Sequence, residues 1–220
     1  MRGFYTSPMR AEAFVFDAYG TLFDVHSVAA RCESSWPGKG AALSQLWRAK
    51  QLEYTWQRSL MQRYEPFSTV TREALAYACQ VLALSLNEER VQALLGEYEK
   101  LAVYPDVPGA LEKLPGQKAI LSNGSPDMLH PLVSQSKLAF DAVISVDEVK
   151  VFKPAPKVYQ LAVDRLKTNN IGFVSSNCWD ALGAKSFGFA VYWINRTGAP
   201  VDRLGFAVDR VLRGLEELVS

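Results

Sequence analysis

Short, largely apolar runs alternate along this chain with stretches in which apolar residues return every three or four positions. Five runs have strand length: residues 13–16, 118–122, 142–145, 172–175 and 190–194. A run without polar alternation is buried on both faces, as a strand inside a parallel sheet is. Helical patterns separate most of the runs, which predicts right-handed crossovers and helices over both faces of the sheet. The expected fold class is α/β, a Rossmann-like doubly wound parallel sheet with ligands outside the carboxyl ends of its strands. The first four runs end there in Asp17, Ser122-Asn123, Ser145-Val146-Asp147 and Ser175-Ser176-Asn177, so candidate chemistry lies along one rim.

Between the first and second runs lies a stretch far longer than an ordinary crossover. It reads almost entirely as helix, with Leu43, Leu46, Trp47 and Tyr54, then Leu75, Tyr77, Ala78 and Leu82, then Val91, Leu94, Leu95 and Tyr98 at helical spacing. The expectation is an inserted helical cap domain over residues 27–104, resting on the rim of a core domain made of residues 1–26 and 105–220. Pro105 and Pro108 mark the return to that core. The cap aromatics Trp36, Trp47, Trp56 and Phe67 read mostly as core or interface. Residues 208–219 read as a last strand and a covering helix.

Composition narrows the partners. Of 220 residues, 49% are hydrophobic and 21% charged, enough apolar surface for a packed core of one or two domains. Basic residues number 24 against 23 acidic, so a net charge of +1 gives no reason to expect nucleic acid or an anionic membrane. No apolar run approaches the ~20 residues of a membrane helix. Residues 1–10 place Arg2 and Arg10 around Thr6-Ser7-Pro8 without the apolar centre of a secretory signal; they read as a floppy leader, with Met9 an alternative start. Cys32, Cys79 and Cys178, odd in number and far apart, fit neither a disulfide framework nor a metal knuckle, and point to a reducing cytoplasm.

Asp17 closes the first run where it meets a glycine turn at Gly20, and by itself such an aspartate is a turn former. Its company changes that reading: Ser122-Asn123-Gly124, Lys153-Pro154 and Ser175-Ser176-Asn177-Cys178-Trp179-Asp180 follow in order, each near a predicted strand end. In this the sequence resembles the haloacid dehalogenase superfamily, whose four motifs supply a nucleophilic Asp, a Ser or Thr, a Lys and a terminal acid. The closer resemblance is to its L-2-haloacid dehalogenases. It runs through Asp17-Ala18-Tyr19-Gly20-Thr21-Leu22-Phe23-Asp24-Val25-His26-Ser27, Leu46-Trp47-Arg48, Gln51-Leu52-Glu53-Tyr54, Leu121-Ser122-Asn123-Gly124-Ser125-Pro126 and Ser175-Ser176-Asn177, and covers nearly the whole chain. Phosphatases of the superfamily carry a second Asp two places after the nucleophile and a Gly-Asp pair opening the fourth motif; this chain has Tyr19 and Ser176 there. Magnesium needs carboxylates and substrate phosphates, and Lys153 would compete with it for Asp17 and Asp180. A site without metal or cofactor is expected.

The resemblance implies hydrolysis of short L-2-haloalkanoic acids to D-2-hydroxyacids and halide through an ester on Asp17. A substrate carboxylate ~4 Å from Asp17 would be repelled by ~4 kcal/mol at an effective dielectric of about 20, so cations are required. Lys153 would keep Asp17 ionised, while Ser122 and the backbone amides after Asp17, from Ala18 on, would bind the substrate carboxylate. Arg48, the Asn123 amide and the Trp179 ring edge would cradle the halide; Tyr19, Leu52 and Phe67 would wall the alkyl group. Asp180 would hold or activate the hydrolytic water, aided by Asn177, Ser175 and Lys153. Thr21 and Tyr159 match family positions that place the nucleophile and the substrate or its lysine. His26 and His130 read as packing or surface groups, and Cys178 is assigned no chemistry. A homodimer joined partly through cap helices is expected from the same resemblance. Two competing readings are a phosphohydrolase acting on a small phosphorylated metabolite despite Tyr19, and a non-catalytic binding protein that keeps the fold.

Overall fold

The computed structural model describes residues 11–219; the leader and the alternative start at Met9 lie outside them. The chain forms β1 (Ala13–Phe16), then α1 (His26–Ser35), α2 (Gly40–Leu60), α3 (Phe67–Val81) and α4 (Glu88–Leu95), followed by a 3₁₀ turn at Gly96–Glu99. It continues through α5 (Val107–Lys113), β2 (Gln117–Ser122), α6 (Pro126–Ser136), β3 (Ala142–Ser145), α7 (Pro156–Leu166), β4 (Ile171–Ser175), α8 (Cys178–Phe187), β5 (Ala190–Ile194) and β6 (Arg210–Leu212). All strand pairs are parallel, in the order β3-β2-β1-β4-β5-β6. The chain leaves β1 in one direction toward β3 and resumes on its other side with β4, so β1 lies at the switch point where α/β sheets open a crevice.

All four residues of β1 are fully buried, which is why the run shows no polar alternation. Phe16 pairs with Ile120 on one side and Val174 on the other. Asp17, Leu121 and Ser175 therefore fall side by side at the rim.

The insertion holds together by the same periodicity that announced it. In α3 the buried positions are Phe67, Val70, Thr71, Ala74, Leu75, Ala78 and Cys79, one continuous stripe at spacings of three and four. Against it α2 buries Leu43, Trp47, Gln51 and Thr55. The polar atoms inside this contact are paired: Trp47 Nε1 donates to the Thr71 carbonyl (2.8 Å) and Gln51 Nε2 to Thr71 Oγ1 (2.9 Å). Trp36, Trp47 and Phe67 are buried, whereas Trp56 and Tyr77 stand on the outer face.

The tail differs from expectation. The covering helix expected up to Val219 is a single 3₁₀ turn, Leu215–Leu218, which follows β6 after Arg213 and an extended Gly214. His26 and His130 are exposed. Among the described residues no helix is long and apolar enough to cross a membrane.

Candidate active site

Asp17 leaves the sheet with its N–H still bonded to the Val174 carbonyl (2.9 Å), and the chain then turns sharply. The Ala18 carbonyl accepts from Leu22 and Phe23, closing a tight loop. Gly20 adopts φ +84°, a conformation that glycine permits without strain, and Ser176 Oγ lies 3.1 Å from where a Cβ would stand. The loop turns the Asp17 carboxylate inward, where it is 6% exposed.

Its two oxygens are treated differently. Oδ2 accepts from Asn177 Nδ2 (2.9 Å) and from Thr21 Oγ1 (3.1 Å); Oδ1 faces Lys153 Nζ at 3.2 Å. Thr21 is itself held, because its Oγ1 receives the Ser176 N–H (2.8 Å) and also lies 3.1 Å from Ser176 Oγ. Lys153 is 1% exposed and also donates to Asp180 Oδ2 (2.8 Å), so one ammonium bridges two carboxylates. Burial works against that charge, yet Asp180 and Asp17 together outweigh it and hold Lys153 above the ordinary lysine value. Burial likewise lifts Asp180 above the ordinary carboxylate range, with Lys153 opposing and Asp17 adding to the rise.

The second motif closes the adjacent side. Ser122 Oγ accepts the Gly124 N–H (3.0 Å), Ser145 Oγ donates to the Gly124 carbonyl (2.7 Å), and Asn123 Oδ1 accepts the Lys153 N–H (3.0 Å). With its oxygen occupied, Asn123 offers its NH₂ elsewhere. Gly124 is required: a Cβ there would stand 2.9 Å from the Tyr19 ring. Tyr19 stacks on Phe67 (6.3 Å between centroids) and meets Tyr98 edge-on (5.8 Å). Its hydroxyl is buried without a hydrogen-bond partner among the described residues, and burial keeps the phenol protonated far above its usual value.

The insertion reaches in from the other side. Arg48, on α2, donates through Nη2 to Asn177 Oδ1 (3.3 Å), and Asn177 in turn holds Asp17. Leu52 follows one turn later on α2, half-buried, and Phe67 opens α3. Trp179, in the first turn of α8, is half-buried and meets Trp56 edge-on at 5.6 Å.

Tyr159 and Ser175 lie behind the carboxylates. Tyr159 is fully buried beside Phe173 and donates to Asp180 Oδ1 (2.9 Å), the carboxylate that Lys153 also holds. Ser175 is fully buried with its Oγ accepting the Asn177 N–H (3.1 Å), which shapes the loop that carries Asn177. Ser176, Trp56 and Phe152 were not singled out for a role. Ser176 replaces an expected carboxylate, Trp56 lies two turns beyond Arg48 on α2, and Phe152, immediately before Lys153, packs on Phe67 (6.2 Å). Of these, Trp56 was within reach of helical spacing alone.

Comparison with known proteins places this geometry. The family model of haloacid dehalogenase-like hydrolases matches residues 11–188. The chain is 50% identical over 214 residues to (S)-2-haloacid dehalogenase H-109 of Pseudomonas putida, covering 94% of this chain and 96% of that protein. It is 44% identical to haloacetate dehalogenase H-2 of Moraxella sp. (strain B), covering 96% of this chain and 97% of that one. The fold superposes on L-2-haloacid dehalogenase from Xanthobacter autotrophicus with chloropropionic acid covalently bound, with a TM-score of 0.89 and 43% identity over 95% of this chain and 97% of that one. On both sequence and fold, the chain belongs to the haloacid dehalogenase-like hydrolases, in their (S)-2-haloacid dehalogenase family.

Proposed function

We propose that this protein is a metal-independent (S)-2-haloacid dehalogenase that hydrolyses short L-2-haloalkanoic acids to D-2-hydroxyacids and halide. The observation that carries the reading is the Lys153 ammonium wedged between Asp17 and Asp180 at 3.2 and 2.8 Å. It supplies at that point the positive charge for which relatives acting on phosphates recruit magnesium. The position where those relatives carry a metal-binding carboxylate holds Ser176, which is hydrogen-bonded to Thr21. The curated relatives do not favour the phosphohydrolase alternative.

Chemistry starts at the less encumbered oxygen. Asp17 Oδ2 already has two donors, while Oδ1 faces Lys153 alone, so Oδ1 attacks C2 from the side opposite the halogen. The C–halogen electron pair leaves with the halide, which Arg48, the Asn123 NH₂ and the Trp179 ring edge receive, and C2 inverts. Ser122 and the amides from Ala18 on take the substrate carboxylate, while Tyr19, Leu52 and Phe67 exclude water from the alkyl group. Oδ2 is now the ester carbonyl oxygen. Thr21 and Asn177 are in place as its oxyanion donors when water adds to Cγ. Asp180 has two of its roughly four acceptor sites occupied, by Lys153 and Tyr159, which leaves capacity for that water. Cleavage of the Cγ–Oδ1 bond releases the hydroxyacid with Oδ1, leaves the water oxygen on Asp17, and sends one proton to the alkoxide and one to solvent.

Purified protein given L-2-chloropropionate in EDTA should release chloride and D-lactate in equal amounts; dependence on added magnesium would sink the metal-free reading. A single turnover in heavy-oxygen water should label Asp17 and not the product, and label in the first product would mean direct attack by water.

The same reading includes the domains and the surroundings. Residues 27–104 form a cap domain over a core made of 1–26 and 105–220. Trp56, Leu60, Met61, Tyr77 and Val81 leave apolar surface exposed on α2 and α3, which suits a second copy of the chain, and three free cysteines suit a reducing cytoplasm. Sedimentation should give a dimer that Met61→Lys weakens.

A further inference from the structure

Arg196 follows β5, outside every motif above, and its surroundings give it a task. Asn195 fixes the loop around it, donating to the Ala199 carbonyl and accepting the Ala199 N–H, both at 2.9 Å. The guanidinium then spans three targets. Nη1 donates to Asp106 Oδ1 (3.1 Å), Nη2 lies 3.0 Å from Asp106 Oδ2 and donates to the Thr21 carbonyl (3.2 Å), and the group lies over the Tyr104 ring at 3.9 Å. Asp106 is held in turn by the Leu215 N–H (2.6 Å).

These targets belong to the two chain passages that join the helical insertion to the sheet. The passages pair with each other: Asp24 N–H donates to the Ala102 carbonyl (2.8 Å) and Tyr104 N–H to the Leu22 carbonyl (3.0 Å). Thr21 starts the outgoing passage, and its hydroxyl holds Asp17 Oδ2. Arg196 thus grips the backbone of the residue whose side chain aims the carboxylate, and ties it to the returning passage through Asp106.

We propose that Arg196 is a positioning residue for the dehalogenation reaction, clamping Thr21 and hence Asp17 while anchoring the paired passages to the core. The proposal rests on Asp17 being the nucleophile. Arginine suits the task because its planar fork reaches a carboxylate and a carbonyl at once, which a lysine ammonium at the same place does not. Displacing a reacting group by about 1 Å costs on the order of 100-fold in rate.

The test is steady-state chloride release by Arg196→Ala, Arg196→Lys, Thr21→Ala, the Arg196→Ala/Thr21→Ala double variant and Asp17→Asn, with melting temperatures for each. We expect kcat to fall about 10- to 100-fold in Arg196→Ala with KM within about twofold, partial recovery in millimolar guanidinium, and little recovery of function in Arg196→Lys. The double variant should be no slower than Thr21→Ala alone, since Arg196 acts through Thr21. Unchanged kcat in Arg196→Ala, or losses that multiply in the double variant, would overturn the clamp. If Arg196→Ala does not fold, Arg196→Lys decides, with wild-type kcat overturning the proposal. An active Asp17→Asn would instead overturn the nucleophile reading; an inactive one beside an unimpaired Arg196→Ala would overturn the clamp alone.

Discussion

The sheet rim and the helical insertion face the same space with different materials. From the rim come Asp17, Lys153, Asp180, Thr21 and Asn177, joined by hydrogen bonds of 2.8 to 3.2 Å. The insertion brings one cation, Arg48, on a longer 3.3 Å contact, and a set of apolar walls that meet Tyr19 and Trp179 by ring packing. Directional bonds fix atoms to fractions of an ångström; ring contacts tolerate shifts. In the function proposed above, the rim is therefore the half that sets the reaction, and the insertion the half that sets what enters and what leaves.

Substitutions on each side put that division at risk. The largest effect is expected from Asp17→Asn, which should lower kcat by at least about 10³-fold while leaving the fold intact; residual activity near wild type would remove the rim's claim to the chemistry. Lys153→Met should abolish turnover as well and destabilise the protein by about 3–5 kcal/mol, because it strands two carboxylates in a dry site. The folded value of Lys153 lies above the ordinary 10.5, so its contribution to stability is complete below 10.5 and disappears as pH climbs through the folded value. Thermal melts across that alkaline range should show the loss in wild type, and a wild type whose melting is flat there would contradict it.

Arg48→Lys comes next, on the insertion side. It keeps the charge but loses the planar fork, and the halide-release step should slow by about 10- to 100-fold with the fold unaffected. A loss as large as that of Asp17→Asn would erase the distinction between the two halves. Smallest of all is Tyr19→Phe, which removes a buried hydroxyl with no partner among the described residues. Its stability should change by less than about 1 kcal/mol and in the favourable direction. A steep rise in KM would show that the hydroxyl meets substrate and that Tyr19 belongs with the polar half.

Part of the rim was legible in the sequence because it is local: an apolar run, then a polar residue within one or two positions of the strand end, whereas Thr21, Lys153 and Asp180 lie further on and were read through the resemblance. Asp17, Asn123 and Asn177 all follow that rule, and the family resemblance supplied their company. What escaped was built from distant pieces. Tyr159 was named through the resemblance, but its partner was not, because 21 positions of sequence separate it from Asp180, to which it donates at 2.9 Å. Tyr77 was read on one face with Leu75, Ala78 and Leu82 yet falls off the buried stripe, since periodicity alone does not say where the stripe's edge lies. Arg196 and Asp106 carry no local signal at all, being ninety positions apart and joined only by the fold.

Both passages into the insertion cross at one narrow stalk, where residues 22–24 run beside 102–104. Among the described residues every strand pairing is between strands that lie outside the insertion in sequence. The block between Asp24 and Ala102 in consequence departs and returns through one doorway, and its further grip on the rim includes side chains: Arg48 on Asn177, and Ser59, which accepts the N–H of Phe152 next to Lys153.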